Sequence, residues 1–247
     1  VTPRWDDAAN APNGIDAVLF DLDDTMYPQQ EWLTGAWNAV AEVATRWGVD
    51  RDAFRDALAA VAAEGSDRGR IIDRALDRLG AVVPVGSLVS TFLSHRPTAL
   101  HPYPGVRDAL AAIGKRARLG VVTDGDPQVQ RAKVDALGLT AAFDVIVVSD
   151  ELGRVHRKPD PAPFRLALDR LGIPAARAVF VGDRPDKDML GACAAGIRSV
   201  RVRTGEFAGM ASHPTPWIDA PTLASAVRVM MKVMESGSWP GRTVVAR

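Results

Sequence analysis

Residues 17–28 read AVLFDLDDTMYP and place Asp21, Asp23 and Asp24 within four positions, directly behind an apolar run. Like charges this close raise one another's pKa and repel, so a chain that keeps them together has a use for the crowding. Three more apolar runs end in polar groups. LGVVT (119–123) closes on Thr123 and continues with Asp124, Gly125 and Asp126. FDVIVVS (143–149) leads to a loop ending in RKPDP, which carries Lys158. AVFVGD (178–183) opens DRPDKD, which carries Asp183, Asp186 and Asp188. Neighbouring carboxylates are tolerable when a divalent cation sits among them, and Mg²⁺ takes about six hard oxygens, some from water and from a substrate phosphate. An ammonium and a hydroxyl suit the oxygens of a phosphoryl group. A carboxylate can be the nucleophile that forms an acyl phosphate, and phosphoryl transfer is catalysed mostly by positioning and charge stabilisation. Residues i and i+2 of a strand share a face, so Asp21 and Asp23 point the same way with Leu22 buried opposite.

The elements that must position these groups follow from hydrophobic periodicity. IDAVLF (15–20), LGVVT, FDVIVVS, AVFVGD and IRSVRV (197–202) are nearly continuous in hydrophobicity, as parallel strands covered on both faces are. Between them, Val106, Leu110 and Ile113 repeat at helical spacing, as do Phe164, Leu168 and Leu171. The alternation predicts a doubly wound, Rossmann-like parallel α/β sheet, and ligands of such sheets bind at the carboxyl ends of the strands. The four polar clusters therefore converge on one edge.

The alternation fails over residues 29–100. Phe54, Leu58 and Val61 form one helical stripe, and Ile72, Ala75, Leu76 and Leu79 another, so an all-helical domain is inserted after the first strand. Trp32, Trp37 and Trp47 read as helix-packing residues of that insert. HPYPGV (101–106) returns the chain to the core, expected over 14–28 and 101–234. Residues 1–13 and 235–247 are expected as flexible termini.

Bulk properties narrow the function classes. Thirty basic and thirty acidic residues give a formal net charge of zero, which argues against general attraction to nucleic acid or an anionic membrane. No stretch approaches the about 20 apolar residues that span a bilayer. Cys193 is the single cysteine, so no intrachain disulfide forms, and a reducing, cytoplasmic setting is expected. Only five of the basic residues are lysines. The oligomeric state is not legible.

DLDDT, Thr123 in VVTDG, Lys158 in RKPDP, and GDRPDKD resemble, in order and each behind a strand, the four motifs of the haloacid dehalogenase-like superfamily. The resemblance covers roughly residues 15 to 210, and the insert is similar to the helical cap of members such as phosphoglycolate and N-acylneuraminate-9-phosphatases. It implies a Mg²⁺-dependent phosphatase acting on a small phosphate ester. Asp21 would be the nucleophile and Asp23 the acid and base. Mg²⁺ would be held by Asp21, the backbone carbonyl of Asp23, and Asp183. Thr123 and Lys158 would bind phosphoryl oxygens beside Asp124 and Gly125, and Asp188 would orient Lys158 or a metal-bound water. Asp24 matches a variable position without a catalytic role. Asp186 reads as a solvated acid.

Some readings stay open. EGSDRGR (64–70) is either an inter-helix loop or a cap loop whose Arg68 or Arg70 reads the leaving group. His156 is near enough in sequence to Lys158 to touch substrate. Met26, Tyr27, Pro28 and Gln29 are read as a flap. Haloacid dehalogenases replace the second aspartate of the first motif, which this chain keeps as Asp23. Phosphonoacetaldehyde hydrolases need a cap lysine, and no lysine precedes Lys115. A phosphomutase of the same superfamily, and a catalytically silent binding or signalling module, remain as alternatives.

Overall fold

The computed structural model describes residues 14–65 and 69–246; Arg68 and the expected leader lie outside the described residues. Among the described residues two compact units emerge, one within 29–100 and one from the others.

The larger unit is built on a parallel sheet of seven strands: β1 (Ala17–Phe20), β2 (Arg118–Thr123), β3 (Val145–Val148), β4 (Ala178–Gly182), β5 (Arg198–Val202), β6 (Ile218–Ala220) and β7 (Thr243–Val244), in the order β3-β2-β1-β4-β5-β6-β7. The chain winds outward from β1 in one direction and from β4 in the other, so the strand order reverses between them. Both faces are covered, which is why all four residues of β1 are fully buried and why it reads as an unbroken apolar run. Ala17 and Leu19 join a cluster with Phe164, Leu168, Phe180 and Ile197, in which Phe164 and Phe180 meet edge to face at 4.8 Å.

Helices α5 (Val106–Gly114), α6 (Pro127–Ala136), α7 (Ala162–Leu171), α8 (Leu190–Ala194) and α9 (Leu223–Ser236) connect and cover the strands. The start of α6 is dictated locally. Asp126 accepts from the backbone N–H groups of Gln128 and Val129, and Pro127 occupies the first turn, where a missing donor costs nothing. In α9 a capping box joins Thr222 and Ser225. Within residues 235–246, expected as part of a loose tail, Glu235 and Ser236 complete α9 and Thr243–Val244 form the edge strand β7, whose Thr243 pairs with Ile218. Two residues are too short for the period-two signal that reveals a strand in sequence.

The smaller unit holds α1 (Gln29–Ala44), α2 (Arg51–Ala62), α3 (Ile71–Leu79) and α4 (Val85–Ser94). Its core gathers Trp37, Phe54, Leu58, Val61, Ile72, Leu76 and Leu88, and Trp37 stacks on Phe92 at 4.7 Å. Trp47, expected in that packing, is 40 % exposed because it lies in a terminal 3₁₀ turn ended by Gly48 in left-handed conformation. Among the described residues no helix is long and apolar enough to cross a membrane. Cys193 is buried and takes part in no disulfide among the described residues.

Candidate active site

Asp21 is the first residue beyond β1. Its N–H donates to the carbonyl of Val181 on β4 at 2.9 Å, extending the ladder by one step and fixing the carboxylate where the strand order reverses, the usual ligand crevice of such sheets. Asp183 follows β4 directly, and Asp188 lies in the short π-helical turn Pro185–Met189. One carboxylate oxygen from each of Asp21, Asp183 and Asp188 lies within 4.8 Å of the others, and all three residues are buried. A Cβ at Gly182 would overlap the Asp188 carboxyl, so only glycine lets that acid fold back against the strand end.

Lys158 enters this acidic group from the loop after β3. Its Nζ donates to Asp21 Oδ1 at 2.5 Å and to Asp188 Oδ1 at 2.7 Å. The lysine backbone is held as well: its N–H donates to Asp124 Oδ1 at 3.0 Å, and that oxygen also accepts from Ser149 Oγ at 2.7 Å. Asp124 thus supports the lysine loop. Asp188 accepts at Oδ2 from the N–H of Arg184 at 3.0 Å, and Asp183 accepts from Thr25 Oγ1 at 3.2 Å.

Asp23 faces different company. Tyr27 Oη donates to Oδ1 at 2.5 Å, Gln130 Nε2 to Oδ2 at 3.0 Å, and Lys133 Nζ to both oxygens at 2.8 and 2.9 Å. The same Gln130 amide donates to Thr123 Oγ1 at 2.6 Å. Asp24 turns the chain with φ +56, a left-handed conformation that aspartate tolerates better than most residues. Its carbonyl accepts from Thr204 Oγ1 at 2.5 Å.

The two carboxylates therefore differ electrostatically. Burial pushes Asp21 up to about 7, with Asp188 and Asp23 adding to the rise and Lys158 opposing it. Burial likewise lifts Asp183 well above the carboxylate range, reinforced by Asp188 and Asp21. Burial also works against the charge on Asp23, but Lys133 and the hydrogen bonds from Lys133, Tyr27 and Gln130 prevail and hold it below its ordinary value. Lys158 resists its own burial because Asp188 and Asp21 keep it protonated. These directions are those of the metal-free site; a cation held among Asp21, Asp183 and Asp188 would favour their charged forms. The trio Asp21, Asp183 and Asp188 offers only carboxylate oxygens, the donor chemistry of a hard cation, so these residues could hold a metal ion. The Asp23 carboxylate stands outside that trio.

Of the other residues singled out in the sequence, Gly125 adopts φ +131, a conformation that favours glycine. Arg70 precedes α3 in the smaller unit, is exposed, and reaches Asp73 at 3.5 Å. Asp186 pairs with Arg184 at 2.7 Å, and His156 lies 3.5 Å from Asp160. Met26 and Tyr27, expected in a flap, are fully buried, since the Tyr27 hydroxyl is turned onto Asp23. Sequence reasoning passed over Gln130 and Lys133. Their signal was a polar pair at positions of α6 that share a buried stripe with Val129 and Val134.

The family model for haloacid dehalogenase-like hydrolases matches residues 15–196. The chain is 35 % identical over 205 residues to the glyceraldehyde 3-phosphate phosphatase of Methanopyrus kandleri, covering 79 % of this chain and 87 % of that one. It is 35 % identical over 202 residues to the phosphoglycolate phosphatase of Rhodospirillum rubrum, covering 76 % and 80 %. Among solved structures, a 2-haloacid dehalogenase from Pseudomonas syringae superposes with a TM-score of 0.60 at 26 % identity, covering 91 % of this chain and all of that one (100 %). A phosphatase from Thermococcus onnurineus shares the fold with a TM-score of 0.62 at 22 % identity, covering 87 % and 98 %. With the motif residues, the parallel sheet and these likenesses together, the chain belongs to the haloacid dehalogenase-like hydrolase family.

Proposed function

We propose that this hydrolase is a phosphatase that cleaves a small phosphate monoester, a sugar phosphate or similar metabolite, through an aspartyl-phosphate intermediate and with Mg²⁺ as cofactor. The observation that supports it best is the pair Asp21 and Asp23 behind β1, one carboxylate beside Lys158 in an acidic trio and the other outside it, held by three donor side chains. Fold likeness alone leaves the reaction open, since the structural neighbours include dehalogenases. Asp23, the position that dehalogenases replace, speaks for the phosphatase. Relatives named for glyceraldehyde 3-phosphate and phosphoglycolate support a substrate of that size.

In this reading an Asp21 carboxylate oxygen attacks phosphorus in line as the bond to the ester oxygen breaks. Asp23, held as a carboxylate in the resting site chiefly by Lys133, takes up a proton from solvent and gives it to that leaving oxygen. In the second half-reaction Asp23 takes a proton from water, which attacks phosphorus, breaks the bond to Asp21 and frees phosphate. One residue then serves as acid and as base. The Thr123 hydroxyl and the Lys158 ammonium hold phosphoryl oxygens, while Asp188 and Asp124 hold Lys158 by its head and by its backbone. Asp21 and Asp183, with the Asp23 backbone carbonyl, would bind Mg²⁺, which supplies positive charge against the phosphoryl oxygens. The test is release of inorganic phosphate from p-nitrophenyl phosphate, glyceraldehyde 3-phosphate, phosphoglycolate and phosphoserine, with Mg²⁺ or with EDTA. Stoichiometric, Mg²⁺-dependent release is expected. Failure on every ester, turnover indifferent to EDTA, or ester rearrangement without phosphate release overturns the reading.

A further inference from the structure

Gln130 and Lys133 stand one turn apart on α6, and each is 2 % exposed. The buried face of a helix packed in an α/β core ordinarily carries apolar residues, as Val129 and Val134 do here. Burying an ammonium is costly unless it is paired and hydrogen-bonded, and Lys133 meets that condition by donating to both oxygens of Asp23. Gln130 is placed as tightly: one amide nitrogen donates to Asp23 Oδ2 and to Thr123 Oγ1. A Cβ at Gly125 would press on the Gln130 side chain at 3.3 Å, so the turn between β2 and α6 leaves just the room this glutamine fills. With the Tyr27 hydroxyl, Asp23 receives four hydrogen bonds from three side chains. That fills the roughly four acceptor sites a carboxylate has and holds each oxygen from two directions.

We infer that Lys133 and Gln130 are positioning residues of this site. Lys133 fixes the orientation of the Asp23 carboxyl, and Gln130 sets its spacing from the Thr123 hydroxyl. An apolar pair would pack on the same helix face at lower cost, and the polar pair gains only by what it holds in place. The inference rests on the phosphatase reading, in which Asp23 serves the leaving oxygen and Thr123 the phosphoryl group.

A well-aimed proton donor matters in proportion to the leaving oxygen's need for a proton. The test compares Lys133→Met, Lys133→Arg and Gln130→Leu on two aryl esters, p-nitrophenyl phosphate with its good leaving group and phenyl phosphate with its poorer one. Lys133→Met eases protonation of Asp23 but leaves its carboxyl free to turn, and the loss of aim is expected to dominate, lowering kcat on phenyl phosphate at least about tenfold more than on p-nitrophenyl phosphate, with KM nearly unchanged. Lys133→Arg should restore much of the difference, and Gln130→Leu should show the same bias more weakly. A second measurement needs no turnover. In metal-free protein, Lys133→Met should lower Tm more in the wild-type background than in the Asp23→Asn background, because only the former leaves a buried carboxylate without its ammonium. Equal losses on both esters, unchanged kcat, or identical Tm shifts in the two backgrounds overturn the inference. If wild-type protein hydrolyses neither these esters nor the metabolite esters named above, the phosphatase reading itself fails, and the Tm cycle still reports whether Lys133 and Asp23 are coupled.

Discussion

The two edges of the central sheet carry the same residue types in opposite arrangements. At the amino edge, acids and arginines meet one to one near solvent. Arg177 donates to both oxygens of Asp16, and Asp144 accepts from Arg118 at 2.6 Å and from the N–H of Leu119 at 2.8 Å. The backbone hydrogen bond from Leu119, followed by Arg118, lowers the Asp144 pKa. At the carboxyl edge, Asp21, Asp183 and Asp188 are buried together around the ammonium of Lys158, and Asp21 and Asp183 are pushed upward. One edge is arranged for stability and the other is held in tension by the fold. Functional sites characteristically store such unfavourable contacts at the expense of stability.

The sharpest break in that comparison is Asp21→Asn. It removes the proposed nucleophile, and turnover should fall about a thousandfold or more; a variant keeping a tenth of wild-type activity would exclude Asp21 from that role. Asp183→Asn should also abolish Mg²⁺-dependent turnover. In metal-free protein, however, it should raise Tm by about 2–4 °C, because it relieves carboxylate crowding, and a fall in Tm would deny that crowding is unfavourable.

The pH dependence of metal-free stability should have opposite signs at the two edges. The folded state raises Asp21 from 3.8 to about 7, so it binds the proton more tightly than the unfolded chain does. This contribution favours folding at low pH and is lost as pH rises from about 4 to about 7. Asp21→Asn should flatten this fall, as read by urea denaturation across that range. At the amino edge the folded state lowers Asp144. Its contribution is present above the unfolded value of 3.8 and lost as pH falls through the lowered folded value. Asp144→Ala should cost about 1 kcal/mol at neutral pH, reduced by partial exposure, and that cost should shrink in acid. Matching slopes at the two edges would erase the distinction between them.

The opening strand, the order of the polar clusters and the helical insert were legible because each is written in local periodicity and in residues that sit together in sequence. Asp21, Thr123, Lys158 and Asp183 each stand at or behind the end of a run that forms a strand. Strands β6 and β7 were missed, being three and two residues long. Tyr27 was misjudged, since only its environment shows that its hydroxyl turns inward. Lys133 was counted among the rare lysines without being given a partner.

From sequence alone came the fold class, the family, and the list of groups proposed to attack, protonate and bind a phosphoryl group, because these depend on residue type and on spacing along the chain. Tertiary structure decided how the list divides. Asp21 and Asp23 are two positions apart, yet one is buried against Asp188 and Lys158 while the other meets Lys133, 110 residues away. Electrostatic character is set by what lies within a few ångströms in space, and the chain order holds no record of those neighbours.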